Sequence, residues 1–190
     1  MRRLGGRPEM SPGGFKERAN CAGSTEFVAP GLVEGTLRSG FETGGSLTSP
    51  FARAVFMMFL VSEVHPFADG NGRIARMMNV HAGELRIVIP TVYRLNHLAA
   101  LRAATHTSND AALVAALALA RRSTARINFF DRTTAETDLE RTYALRDARE
   151  AEDARVRLAL PGDAPALDRR HASAAGRPRP IGTVRTTTSA

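Results

Sequence analysis

The chain has 190 residues and a mass of 20.5 kDa, 43% hydrophobic and 24% charged; that is one domain's worth of ordinary globular sequence and excludes wholesale disorder, collagen-like repeats and coiled-coil rods. The formal charge of +7 is concentrated at the ends: residues 1–20 and 163–190 each carry five basic and two acidic side chains, whereas the stretch between them carries 16 and 15. Among the terminal basic residues Phe15 is the sole aromatic, too little to stack bases along a strand, so the excess charge reads as solvated tails and gives no strong nucleic-acid signal.

The first 20 residues are rich in Gly, Pro and Arg without sustained periodicity and read as a linker or the remnant of a missing N-terminal region. Met-Arg-Arg-Leu-Gly-Gly-Arg-Pro is basic but has no apolar stretch behind it, as a secretory signal would require. Cys21, the sole cysteine, excludes an intramolecular disulfide and suits a reducing compartment. Residues 24–29, set between Gly23 and Pro30-Gly31, suit a short strand or hairpin arm. Leu32–Phe41 has helical apolar spacing, with Thr43-Gly44-Gly45 as its expected end. Ser49-Pro50 is a helix start, and the run to Val64 is apolar on most faces, as in the central helix of a bundle; Pro66 stops it. After the Asp69-Gly70 turn, Asn71 to about Ala82 reads as a helix ended by Gly83. Arg86–Ile89 is a short β-branched segment, Leu95–Thr105, Asp110–Arg122 and Ala135–Tyr143 are further helices, and residues 161–190 are a disordered basic tail. The apolar runs 54–61 and 111–120 fall well short of the roughly 18–20 residues of a membrane span. The expected class is all-α with a small β element, in the cytoplasm.

Chemistry concentrates in residues 65–76, His-Pro-Phe-Ala-Asp-Gly-Asn-Gly-Arg-Ile-Ala-Arg, between the two clearest helices. A Gly-Asn-Gly turn feeding a helix exposes backbone N–H groups at the positive end of the helix dipole, where glycines let an anion come close. Arg73 and Arg76, three apart, share a helix face and suit successive phosphates. Asp69 offers a hard carboxylate beside that site, and magnesium commonly binds through one or two carboxylates plus the substrate's phosphate oxygens. His65, whose neutral form nearby arginines favour at pH 7, is placed to act as a general base. Each feature alone is ordinary in a structural protein; the conjunction of base, metal ligand, anion hole and arginines within twelve positions is what points to phosphoryl or nucleotidyl transfer.

The segment resembles the signature of the Fic family, His-x-Phe-x-Asp/Glu-Gly-Asn-Gly-Arg-x-x-Arg, at every fixed position. The likeness extends over about residues 7–160: Pro12 to Lys16 and Ala22 to Pro30 resemble the family's flap hairpin region, and Arg86–Pro90 with the Tyr93–Ala104 helix resembles the segment after the signature helix. The resemblance implies a Fic-type helical bundle with a β-hairpin flap, a domain over residues 21–160, and a protein adenylyltransferase that moves AMP from ATP to a Ser, Thr or Tyr hydroxyl of a target protein and releases pyrophosphate. It implies His65 as base, Asp69 as the Mg2+ ligand, Gly70, Asn71 and Gly72 as anion hole, and Arg73 and Arg76 on the outer phosphates. Phe67 is the loop's core anchor, and a flap of Gly23, Ser24, Thr25 and Phe27 holds the target extended. Expected partners are ATP, a hydroxyl-bearing protein that includes the chain itself, and an inhibitory partner. Relatives place helices before the flap where this chain has barely twenty residues, which makes a truncated member the expectation. The only Glu followed by Gly or Asn is Glu34, with Pro30 four before it, so the family's inhibitory Ser/Thr-x-x-x-Glu-Gly/Asn helix is not expected within the chain. The short stretch Asn79–Glu84 bears on the adenine pocket. Two other readings stand beside the transferase: a Doc-like kinase, against which Gly72 argues because those relatives carry a bulkier residue there, and an inactive remnant serving as a binding module.

Overall fold

The structure is a computed structural model that describes residues 13–83 and 87–160, the side chains of 79–83 excepted. The expected basic tail and residues 1–12 lie outside the described residues, as do Arg86 and most of what was expected of the 79–84 stretch. Seven α-helices and one two-stranded antiparallel hairpin make up the described regular structure, a mostly helical fold with a small β element as the sequence predicts.

The hairpin pairs β1 (Cys21–Ala22) with β2 (Thr25–Glu26) in the register Cys21↔Glu26 and Ala22↔Thr25, closed by Gly23-Ser24 with Gly23 at φ 63°. A single 3-10 turn, Pro30–Leu32, leads into α1 (Val33–Ser46), and α2 (Pro50–Val64) comes next. Ser49 starts α2 as its sequence suggests: its hydroxyl accepts from the Ala52 N–H at 3.3 Å, and Pro50 occupies a position that needs no N–H. The remaining helices are α3 (Asn71–Gly83), α4 (Arg94–Thr107), α5 (Ala111–Thr124), α6 (Arg132–Arg141) and α7 (Ala148–Asp153).

Helix α2 is the centre of the fold, because two of its faces are apolar and each finds a separate partner. Ala54, Val55, Met58 and Val61 meet Ala75 of α3, Ala100 and Ala104 of α4, and Leu113, Leu117 and Ala120 of α5. Met57, Leu60 and Val64 meet Val33 and Leu37 of α1. Met58 and Val64 are almost wholly buried, and burying a side chain of this size is worth about 1.5–3 kcal/mol. The end of α2 is thereby a rigid platform for the loop that leaves it.

Four sequence expectations change. Gly44-Gly45 does not close α1; the helix runs through both, since Gly40 and Gly44 lie against α2, where a Cβ on Gly40 would stand 2.5 Å from Leu60 Cδ1. Room for the Leu60, Met57 and Phe56 side chains of α2, not a helix stop, is what Gly40 and Gly44 serve. Residues 87–90 form no strand: the Val88 N–H donates instead to the hydroxyl of buried Thr124, at 2.9 Å. Helix α6 begins three residues earlier than expected because Asp131 caps it, accepting from the Thr134 N–H at 2.7 Å. And α7, too short to show a period, is nucleated by Asp147, whose carboxylate accepts from the N–H groups of Arg149 and Glu150.

Candidate functional site

The loop between α2 and α3 carries the expected site residues. His65 ends α2 in the left-handed conformation, φ 49° and ψ 56°, a geometry that costs a residue with a Cβ about 1–2 kcal/mol and that surrounding contacts must hold. Its N–H donates to Val61 O at 3.1 Å. Its Nδ1 lies 3.1 Å from Ser62 O, and a carbonyl can only accept, so Nδ1 carries the proton and the neutral ring keeps its lone pair on Nε2. Burial lowers the His65 pKa below its ordinary value and the charge of Lys16 acts in the same direction, while the Ser62 carbonyl and Glu63 oppose them. The ring lies flat on Phe27 of the flap, centroids 3.8 Å apart and planes within 5°.

The Asn71 side chain has a structural task that the sequence reading did not name. It is 2% exposed, its Oδ1 accepts from the Phe67 N–H at 2.8 Å and its Nδ2 donates to Phe67 O at 2.7 Å. The side chain is thus consumed in stapling the loop shut, which leaves its backbone N–H for the expected anion hole. Gly70 caps α3 at φ 87°, a conformation that side chains with a Cβ rarely adopt, and its carbonyl accepts from the N–H groups of Arg73 and Ile74. Helix geometry leaves the first-turn N–H groups of Asn71 and Gly72 without intrahelical acceptors.

Both arginines return over this helix start, as side chains on helices lean toward the N-terminus. The Arg73 Nη2 would be 3.3 Å from a Cβ placed on Gly70, and the Arg76 Nη1 would be 3.7 Å from one on Gly72. Arg73 also reaches Asp69 at 3.5 Å across a partly exposed i,i+4 pair, a contact of little energetic weight that a ligand can displace. The structure therefore brings Asp69, Gly70, Gly72, Arg73 and Arg76 together at one helix start, while His65 stands at the other end of the same loop, its ring against Ser62 O and Phe27. A cavity of about 680 Å³ lies elsewhere, between the start of α4 and α7, lined by Tyr93, Asn96, Ala99, Ala151 and Arg155 among others, and includes none of these residues.

The flap residues part company. Phe27 touches the His65 ring, but the Thr25 hydroxyl is bound to His106 Nε2 at 3.0 Å and buried, whereas Gly23 and Ser24 form the exposed tip. Glu34 is exposed on α1, ion-paired with Arg38 at 2.9 Å.

Three further residues were not found by sequence reasoning. Lys16 and Asn20, in the segment read as linker, have no regular structure, yet Lys16 is buried against the end of α2, and burial lowers its pKa. Phe15 packs on Phe67, ring centroids 6.0 Å apart. The available signal was that Lys16 is the one lysine among 26 basic residues. The third is His97 of α4, 8% exposed, with Nδ1 lacking a partner among the described residues and a pKa lowered to about 4 by burial and the nearby Arg76 charge.

Among the described residues no helix is long and apolar enough to cross a membrane. Comparison with known proteins finds a likeness to the crystal structure of a Fic domain containing signaling protein from Bacteroides thetaiotaomicron, at 22% identity and a TM-score of 0.43 over 61% of this chain and 56% of that one. A Fido domain-containing protein of Dictyostelium discoideum is 31% identical over 74 residues, 36% of this chain and 52% of the relative, so the match spans about half the length of that relative. Residues 2–82, which hold the hairpin, α1, α2, the loop and nearly all of α3, match the model of the Fic/DOC family.

Proposed function

We propose that the chain is a protein adenylyltransferase, transferring AMP from ATP to a Ser, Thr or Tyr hydroxyl of a target protein. The observation that carries this reading is the return of both guanidinium groups over Gly70 and Gly72 at the start of α3, on the loop that begins with a His65 whose Nε2 holds the lone pair. An anion with several charges along its length is the ligand that such a row of cations and first-turn amides suits.

The outer phosphates of ATP lie against Arg73 and Arg76, and the amides of Asn71 and Gly72 face the charge that builds up on the transferring group. His65 Nε2 takes the proton of the target hydroxyl as its oxygen bonds to the α-phosphorus; the bond between that phosphorus and the bridging oxygen breaks, and pyrophosphate leaves. Asp69, partly exposed beside the arginines, fits magnesium held by one carboxylate and substrate phosphate oxygens, and the ion would supply charge neutralisation there. A lowered His65 pKa keeps the base in its neutral form at pH 7, so transfer is lost as pH falls through that pKa.

The test is ATP labelled on the α or the γ phosphate, with magnesium and candidate target proteins or the chain itself. Label transferred from the α position only, lost in His65→Ala and weakened in Arg76→Ala through a raised KM for ATP, is the expected result. Transfer from the γ position only would assign the kinase reading. No transfer from either, by a cooperatively folded chain presented with proteins that other transferases of this kind modify, would assign the binding module.

A further inference from the structure

Four consecutive carbonyls leave the end of α2, and two residues from the N-terminal loop meet all of them. Lys16 Nζ donates to Val64 O at 3.1 Å, Asn20 Nδ2 to His65 O at 3.4 Å and to Phe67 O at 3.3 Å, and the Lys16 N–H to Pro66 O at 2.8 Å. The two side chains also bind each other, Lys16 Nζ to Asn20 Oδ1 at 2.7 Å. The Asn20 carbonyl accepts from the Phe27 N–H at 3.2 Å, which sets the ring that covers His65.

We propose that Lys16 and Asn20 are positioning residues for His65, a role that rests on the reading of His65 as the base. Carbonyls at a helix C-terminus lack intrahelical donors, and a cation there complements the negative end of the dipole. His65 sits in a left-handed conformation where glycine is the usual occupant, so its backbone stays there only while neighbours hold it. The clamp grips the carbonyl before His65, its own, and the two after it; Phe27, aligned through the same Asn20, fixes the plane of the ring. With backbone and ring both held, Nδ1–H reaches Ser62 O and the lone pair stays on Nε2. Lys16 also places a positive charge near the ring, and Glu63 of α2 is the charged group that opposes it.

The test joins a spectroscopic reading to a kinetic one. In 15N-imidazole spectra of the full chain, with the His65 signals assigned by their absence in His65→Gln, the wild type should show the Nδ1–H tautomer. Lys16→Met, which keeps the aliphatic stem, should mix the two tautomers and move the His65 pKa up; Lys16→Arg, which keeps cation and donors, should restore both. For AMP transfer, a misplaced base should lower kcat on the order of 10–100-fold with KM for ATP within about twofold, since the phosphate site is untouched. If Lys16→Met fails to fold, Asn20→Ala reads the tautomer and kcat, because it removes the bonds to His65 O, Phe67 O and Lys16 Nζ and leaves the ammonium. Unchanged tautomer and pKa in the folded variants, or an unchanged kcat, overturn the proposal. A tautomer that shifts in a protein whose wild type transfers nothing would uphold the clamp and overturn the transferase.

Discussion

Replacing Asn71 by Ala separates two jobs that one short loop performs. Asn71 is buried at the first turn of α3 and spends both ends of its amide on Phe67. Truncation deletes two hydrogen bonds worth about 1 kcal/mol each and leaves the Phe67 N–H without its acceptor, a further cost of about 1 kcal/mol for a half-buried group. The Phe67 carbonyl still receives Asn20 Nδ2 at 3.3 Å, so no second orphan arises. The expected loss is about 3 kcal/mol, which for a chain of this size lowers Tm by about 6–12 °C. Asn71→Asp keeps the acceptor and gains a favourable place at the helix N-terminus, but faces the Phe67 carbonyl with a charge, so it should fall between wild type and Ala. Gly72→Ala is the contrast: a Cβ there meets only the Arg76 Nη1, at an ordinary 3.7 Å. Its stability should be unchanged or raised by up to about 1 kcal/mol, while nucleotide binding drops as the anion's approach narrows. Urea unfolding of the three variants, with ATP binding measured alongside, checks this. A loss below about 0.5 kcal/mol in Asn71→Ala, or an equal loss in Gly72→Ala, would refute the assignment of stapling to one residue and access to the other.

Three other outcomes are expected. In α1, Gly40→Ala should destabilise by about 1–2 kcal/mol, since overpacking against Leu60 outweighs the gain in helix propensity, whereas Gly45→Ala, which meets nothing within 4 Å, should stabilise by up to about 1 kcal/mol; thermal unfolding of both checks this. His97 has a folded pKa of about 4 against the usual 6.5, so the unfolded chain binds more protons between those values. Its contribution is fully present above pH 6.5 and is lost as pH falls toward 4, by about 3 kcal/mol, and His97→Gln should show a shallower loss of unfolding free energy over that window. Thr25→Val removes the hydroxyl that ties the hairpin to His106 and should speed hydrogen exchange in residues 21–27 while leaving α2 amides protected.

The parts of the fold with local causes were legible in the sequence. The start of α2 follows from Ser49 and Pro50, its end from Pro66, and its central place from an apolar surface too wide for one partner. Class and helix order follow from that kind of signal. What stayed hidden depends on contacts between residues far apart in the chain. Gly44-Gly45 looks like a stop signal until Met57 and Leu60 of α2 are seen to need the space above the α1 glycines. Arg86–Ile89 has strand composition, but no strand lies beside the described part of it, and a threonine 36 residues onward takes its N–H instead.

The candidate site divides in the same way. Its candidate groups lie in one segment, residues 65–76, and spacing alone places them: a left-handed histidine, a capped helix start and two arginines one turn apart. The groups that hold them are not contiguous. Lys16 reaches a carbonyl 48 residues away, Asn20 reaches carbonyls 45 and 47 residues away, and Thr25 reaches a histidine 81 residues away. A glycine-rich composition matches the absence of regular structure in residues 13–20, but regular structure and order are separate matters: a loop can be held in place by the few donors, here those of Lys16 and Asn20, that meet distant carbonyls. The candidate groups are therefore readable from one segment, whereas the contacts that hold their loop come from a second segment with no motif. Segment 65–76 transplanted without Lys16 and Asn20 should keep its two arginines over the helix start and lose the alignment of the His65 ring.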